Sequence, residues 1–188
     1  MKARENPFRA EKVISLEFEP QGTSMNELWQ KLEAMNWRGA LVGPCGTGKT
    51  TLLETVQSRL EAEGRTVTLL TFNTRQRQLV LPVDSDSSAL LVDGVEQLSR
   101  FDCWKLAKFG CRFKIFIVTS HRPTFLPTWL QTQTSPRLLQ ELCAHLNAEI
   151  TLEDATKLWE KHGGNLRFAL GELYDKQGIE KKVLDQLK

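Results

Sequence analysis

No apolar run in this chain approaches the roughly 18 residues that a helix needs to cross a bilayer, so no membrane-spanning helix is expected. Charge of one sign is scarce as well: 25 Lys and Arg stand against 23 Asp and Glu, a net +2, which makes no case for wholesale binding to nucleic acid or to a membrane surface. Four cysteines, at 45, 103, 111 and 143, form no C-x-x-C pair and have no histidine at metal-ligand spacing. Cys103, Cys111 and Cys143 are therefore expected to be buried small hydrophobes. Residues 1–7 lack the apolar stretch of a signal peptide, and a cytoplasmic protein is expected. There is no internal repeat, low-complexity tract or long linker. The 188 residues, 40% hydrophobic and 26% charged, suit one compact α/β core with a small appendage.

Against these absences one stretch stands out, Gly43-Pro44-Cys45-Gly46-Thr47-Gly48-Lys49-Thr50, which meets the phosphate-loop pattern G-x-x-x-x-G-K-[ST] at every fixed position. Its setting agrees. The apolar Ala40-Leu41-Val42 before it reads as a buried strand, and Leu52, Leu53, Val56 and Leu60 recur at helical spacing after it, up to a stop at Gly64. Strand, glycine loop and helix bring backbone N–H groups around a phosphate at the positive end of the helix dipole. The contacting set expected for the nucleotide is Gly43, Pro44, Cys45, Gly46, Thr47, Gly48, Lys49, Thr50 and Thr51. Lys49 is suited to the β- and γ-phosphates, and the Thr50 hydroxyl to Mg²⁺. Cys45 stands near a helix N-terminus, where a thiol can become reactive, but the motif assigns its position no role.

Ala89-Leu90-Leu91-Val92-Asp93 is an apolar strand ending in an acid, with the strand-like 66–72 lying between it and the loop helix. In that position the Asp93 carboxylate is expected to hold Mg²⁺ opposite Thr50. Glu96 follows one turn later. The strand-like 113–119 ends in Thr119-Ser120-His121-Arg122-Pro123, a polar cluster at the C-terminal edge where open α/β sheets bind ligands, so Ser120 and His121 join the nucleotide-contacting set.

The remaining segments frame these motifs. Residues 13–18 alternate as a short strand or arm. Ser24 and Glu27 form a capping box ahead of an apolar stripe through Met25, Leu28, Trp29, Leu32 and Met35. The polar stretch 73–88 reads as a loop with a short extended piece at 78–81, and it carries Arg75 and Arg77. A helix over 101–109 stops at Gly110, and 128–133 suits a fifth strand. Ser135-Pro136 and Thr151 with Asp154 open two helices, and Gly163-Gly164-Asn165 ends the second and starts a third. The division expected is an N-terminal arm over 1–22, a nucleotide-binding core over 23–134 and a helical lid over 135–188.

With the phosphate loop, the Asp93 strand, the 119–122 cluster and Gly163-Gly164-Asn165-Leu166-Arg167 together, the chain resembles a small AAA+-type ATPase of the P-loop NTPases over roughly residues 23 to 177. The resemblance implies an α/β three-layer sandwich with a mostly parallel five-stranded sheet, followed by a small C-terminal helical lid. It implies that Arg167 contacts the γ-phosphate from the lid, and that Asn6-Pro7-Phe8 corresponds to a segment packing near the adenine. The cluster at 119–121 also resembles the strand-end histidine of transporter-type ATPases, which implies that His121 reads the γ-phosphate. One departure matters. The family places a Glu directly after the Asp of the second motif, and here that position is Gly94, which leaves Glu96 as the nearest acid.

The leading expectation is an ATP- and Mg²⁺-binding hydrolase, with Lys49, Glu96 and Arg167 as catalytic residues, that couples turnover to lid movement and a protein partner. Gly94 supports a second reading, a nucleotide-dependent switch with little turnover. A small phosphotransferase is a third, against which the intervening strand and the G-G-N-x-R run argue. Arg167 has a plainer alternative as an exposed arginine paired with Glu160 or Glu172. No helix-turn-helix, zinc spacing or basic run supplies a nucleic-acid reading head, and an oligomer is left open.

Overall fold

A computed structural model of the chain describes residues 7, 8, 18, 20–81 and 88–186, with side chains as far as 176. Residues 13–17, most of the N-terminal strand expected above, lie outside them. The described residues form two compact units.

The larger unit comprises Phe18–Pro44 and Gly48–Thr132. In chain order it contains α1 (Met25–Ala34), β1 (Arg38–Val42), α2 (Lys49–Ala62), β2 (Val67–Thr71) and β3 (Ala89–Asp93). A single 3₁₀ turn (Val95–Gln97), α3 (Arg100–Gly110), β4 (Ile115–Ser120) and β5 (Thr128–Gln131) follow. The strands form one sheet in the order β2-β3-β4-β1-β5. Every pairing is parallel, so the sheet is parallel throughout rather than mostly so. A parallel sheet must be covered on both faces. Alternation along the strands supplies the two apolar surfaces. Leu41, Leu91, Ile115 and Ile117 pack with α1 and α2, whereas Ala40, Val42, Leu90, Val92, Phe116 and Val118 pack with Leu106 of α3.

Local signals account for the element ends. Ser24 and Glu27 make both bonds of the capping box: Glu27 N–H donates to Ser24 Oγ at 3.2 Å, and Ser24 N–H donates to Glu27 Oε2 at 2.8 Å. The α1 stripe is core, with Leu28, Trp29 and Leu32 buried, and Trp129 Nε1 donates to the Leu28 carbonyl at 2.8 Å. The stretch expected as a loop over 73–88 is one in its described part, and its Leu79 and Leu81 pack onto the α3 side of the sheet. One expectation is corrected. Gly110 does not stop α3 but is its last residue, set so tightly against the Phe116 ring that a Cβ would lie 2.2 Å from it.

The second unit contains Cys45–Thr47 and the C-terminal helices α4 (Pro136–His145), α5 (Leu152–Lys161) and α6 (Leu166–Gln186). Ser135 caps α4, with Pro136 in the first turn, and Thr151 caps α5. Their apolar faces form one cluster with Phe8, which is buried among Leu138, Leu142, Leu166 and Leu170. Of the cysteines expected to be buried, Cys143 sits in this cluster, and desolvation pushes its thiol up to about 12. Cys103 is half-buried, and burial raises its thiol too. Cys111, the C-cap of α3, is exposed rather than buried.

Glu172 of α6 gathers Lys161 and His162, each at 2.7 Å, and Lys176 at 3.1 Å. Their hydrogen bonds hold its carboxyl at about 2, below the ordinary 4.5. A carboxyl lowered on folding stabilises the native state above its unfolded value, and that contribution fades as pH falls from about 4.5 toward 2. Between pH 6 and pH 3 the parent should therefore lose more melting temperature than Glu172→Gln. Equal losses by circular dichroism would show that the cluster does not couple α5 to α6.

Candidate functional site

The phosphate loop leaves β1 at Val42 and enters α2 at Lys49. Gly48 is the N-cap of α2, with φ 84°, so no capping side chain competes for the first N–H groups of the helix, and no acid stands in the first turn. Such an end is suited to an anion. Lys49 is 8% exposed, and its ammonium donates to the carbonyls of Gly43 at 2.7 Å and Pro44 at 2.6 Å. It is thus folded over the loop's own backbone. Gly43 N–H donates to the Ser120 carbonyl at 3.1 Å, joining the loop to the end of β4. Thr51 lies in the first turn of α2, and its carbonyl accepts from Thr55 Oγ1 at 3.0 Å.

The second motif meets the first at the strand ends. Thr50 Oγ1 donates to Asp93 Oδ2 at 3.0 Å. Thr119 Oγ1 donates to Asp93 Oδ1 and accepts from the Gly94 N–H at 2.9 Å. One carboxylate is thereby held by hydroxyls from α2 and β4. Thr119 was legible only as a member of the strand-end cluster and not as a site residue; nothing local marks one threonine among three polar neighbours. The sheet order assigns the contact, because β4 lies between β1 and β3. Thr50 and Asp93 offer hard oxygen donors, the set Mg²⁺ takes when phosphate oxygens and water complete its shell. Among the described residues no group of three or more His, Cys, Asp or Glu could hold a metal by itself.

His121 Nε2 lies 3.4 Å from Glu96 Oε1, the two side chains being 38% and 22% exposed. Ser120 is buried, and its hydroxyl accepts from Arg122 N–H at 3.2 Å. In the second unit Leu166 N–H donates to the Gly46 carbonyl at 3.2 Å. Gly46 has φ +74°, and a Cβ there would fall 2.0 Å from Asn165 Oδ1. Asn165 also caps α6, accepting from Phe168 N–H at 3.2 Å. The tip of the loop is therefore hydrogen-bonded to Leu166, the residue that follows the G-G-N run. Arg167, in the first turn of α6, is exposed and forms no ion pair with a described residue, and Glu172 is taken by Lys161, His162 and Lys176.

A scan of protein-family models and a search of curated protein sequences give no match. Solved structures do. One described as a DNA replication initiation factor aligns with TM-score 0.56 at 17% identity, over 84% of this chain and 62% of its own. Another, described as replication initiator DnaA bound to AMPPCP and single-stranded DNA, aligns with TM-score 0.59 at 17% identity, over 89% and 66%. The chain shares the α/β fold of these structures, with its five strands in the order given above. The chain spans slightly under two thirds of the length of these structures.

Within this fold, the absence of a glutamate after Asp93 has a steric cause. Gly94 has φ +82°, and a Cβ on it would lie 2.4 Å from the Phe72 carbonyl oxygen. The same left-handed residue caps the 3₁₀ turn that carries Glu96. No side chain of any kind fits position 94 without moving β3 or the Phe72 backbone. Gly94→Glu should accordingly destabilise the protein by about 1–3 kcal/mol or more, read as a lower urea midpoint with an unchanged slope. Parent stability would mean that the backbone at 94 is freer than its geometry implies.

Proposed function

We propose that the chain binds Mg-ATP and hydrolyses it, and that the change of nucleotide is transmitted through the C-terminal helices to a protein partner. The observation that carries this reading is the Thr50–Asp93 contact at 3.0 Å, beside a glycine loop whose helix begins without a side-chain cap or an acid. Backbone N–H groups of the loop and of the first turn of α2 would bind the phosphate oxygens. Lys49 would exchange the Gly43 and Pro44 carbonyls for the β- and γ-phosphates. Mg²⁺ held by Thr50 and Asp93 would neutralise charge developing on those oxygens. Glu96, oriented by His121, would take the proton of the water that attacks the γ-phosphorus while ADP leaves. Residues 135–188 serve as the lid, with Arg167 as its γ-phosphate contact. A cytoplasmic location accords with this chemistry.

A switch with little turnover is the second reading, and one geometry favours it. Glu96 is engaged by His121 at 3.4 Å and stands two residues beyond the position directly after Asp93, so its reach to an attacking water differs from that of an acid at 94.

Lys49→Ala should lower ATP affinity about 10- to 100-fold, the worth of hydrogen bonds to a charged group, and Thr50→Ala should lessen the Mg²⁺ dependence of binding. Glu96→Gln should bind ATP like the parent and lose about 10²- to 10⁴-fold in turnover, as expected for a general base. Unchanged ATP affinity of Lys49→Ala in calorimetry would remove the nucleotide reading. A parent that binds without turnover would select the switch.

The Arg167 role has its own test. A cation in the first turn of a helix opposes the dipole, by about 0.3–1 kcal/mol when exposed, and a γ-phosphate would offset that through a bidentate guanidinium contact. Arg167→Ala should therefore weaken ATP binding about tenfold or more while sparing ADP. It should also remove any ATP-induced fluorescence change of Trp159, whose Nε1 donates to Thr134 Oγ1 at 2.9 Å. Equal losses for the two nucleotides would take Arg167 out of the site.

A further inference from the structure

Helix α3 joins the Asp93 strand to β4 and turns a surface outward that the nucleotide chemistry does not use. Its exposed positions are Arg100, Phe101, Trp104, Lys105 and Lys108, every one of them cationic or aromatic. The spacing puts them on one stripe of the helix. Phe101 is 62% and Trp104 53% exposed, and their rings stack at 5.9 Å with 16° between planes. Lys105 Nζ lies 4.4 Å from the Phe101 ring centroid, and Lys108 Nζ lies 4.0 Å from that of Trp104. The one acid of the helix, Asp102, is half-buried and bound to the capping Ser99 hydroxyl at 2.7 Å, off the stripe. Packing explains the opposite face, where Leu106 is buried and Cys103 and Phe109 are partly buried against the sheet. It does not explain two stacked aromatics left in water among three cations. Arg75 and Arg77 add positive charge on the loop whose Leu79 and Leu81 pack into the α3 cluster.

We propose that this stripe of α3 binds single-stranded nucleic acid, with bases stacking on Phe101 and Trp104 and phosphates on Arg100, Lys105 and Lys108. Flat rings interleaved with cations match a strand that presents base faces and phosphates in alternation. An ammonium resting over each ring supplies the charge at the spot where the next phosphate would arrive, and a base would replace it on the ring face. A duplex keeps its base faces stacked on one another and could use only the cations. The surface shares no residue with the nucleotide site, so each reading stands or falls alone.

The test is fluorescence anisotropy with a labelled oligothymidylate and a labelled duplex of equal length, using the full chain at two salt concentrations. The single strand should bind more tightly than the duplex. Trp104→Ala should weaken the single-strand complex about tenfold, the worth of one stacked base, whereas Trp104→Phe keeps a ring and should retain most of the affinity. Lys105→Glu with Lys108→Glu should weaken binding and reduce the slope of log K against log salt by about 0.7 for each phosphate no longer neutralised. Circular dichroism melts establish that the variants are folded; should Trp104→Ala not fold, the phenylalanine and charge-reversal variants decide. The proposal is overturned by equal affinity for duplex and single strand, by absence of oligothymidylate binding, or by parent affinity in both Trp104→Ala and the charge-reversal variant. It is overturned equally by self-association in sedimentation that Trp104→Ala abolishes while oligothymidylate affinity stays at the parent value, which would make the stripe a protein interface.

Discussion

The Asp93 carboxylate accepts from Thr50 and from Thr119, and through these two bonds the end of β3 is tied to the start of α2 and to the end of β4. Thr119 passes the restraint on, since its hydroxyl also takes the Gly94 N–H. A carboxylate has lone pairs for both hydroxyls, and each bond to a charged acceptor is stronger than a neutral one. The arrangement exists because β4 is inserted between β3 and β1, which sets a hydroxyl from β4 next to an acid that the chain made much earlier. Candidate metal ligands are thus fixed by the framework of the sheet rather than by the flexibility of a loop.

Immediately beyond that carboxylate the chain must turn, and the turn decides where the next acid can stand. Gly94 adopts a left-handed conformation against the Phe72 carbonyl, which leaves no volume for a side chain. The 3₁₀ turn it opens places Glu96 beside His121 at the end of β4. Losing an acid at one position and gaining an acid–imidazole pair nearby are consequences of the same backbone geometry.

The connection from β3 to β4 also has two unlike sides. One side of α3 contributes Leu106 to the core, and the other carries stacked rings and cations into solvent. Helical periodicity makes this division sharp, because residues three and four apart stay on one stripe while the intervening ones turn inward. A helix needed structurally to cover the sheet can hence carry a second surface without disturbing the strand-end site.

Sequence alone determined the parts whose physics is local. The phosphate loop, the capping residues Ser24, Ser135, Thr151 and Asn165, the glycine stop at 64 and the apolar strands at 89–93 and, within a residue or two, at 113–119 all follow from spacing, caps and hydrophobic runs. The acid at the end of β3 was legible for the same reason. Tertiary structure alone decided what depends on strand order and close approach. Thr119 became the partner of Asp93 because β4 sits between β3 and β1, an ordering that no local pattern encodes. Glu96 met His121 from a different strand end, and Leu79 and Leu81 of the loop found a core, because the position of α3 is set by the whole sheet. Gly94 reads in the sequence as a missing acid; only the Phe72 carbonyl at 2.4 Å from where its Cβ would stand reveals that no acid fits there. Steric exclusion of this kind arises between segments distant along the chain, and a linear pattern carries no distances between them.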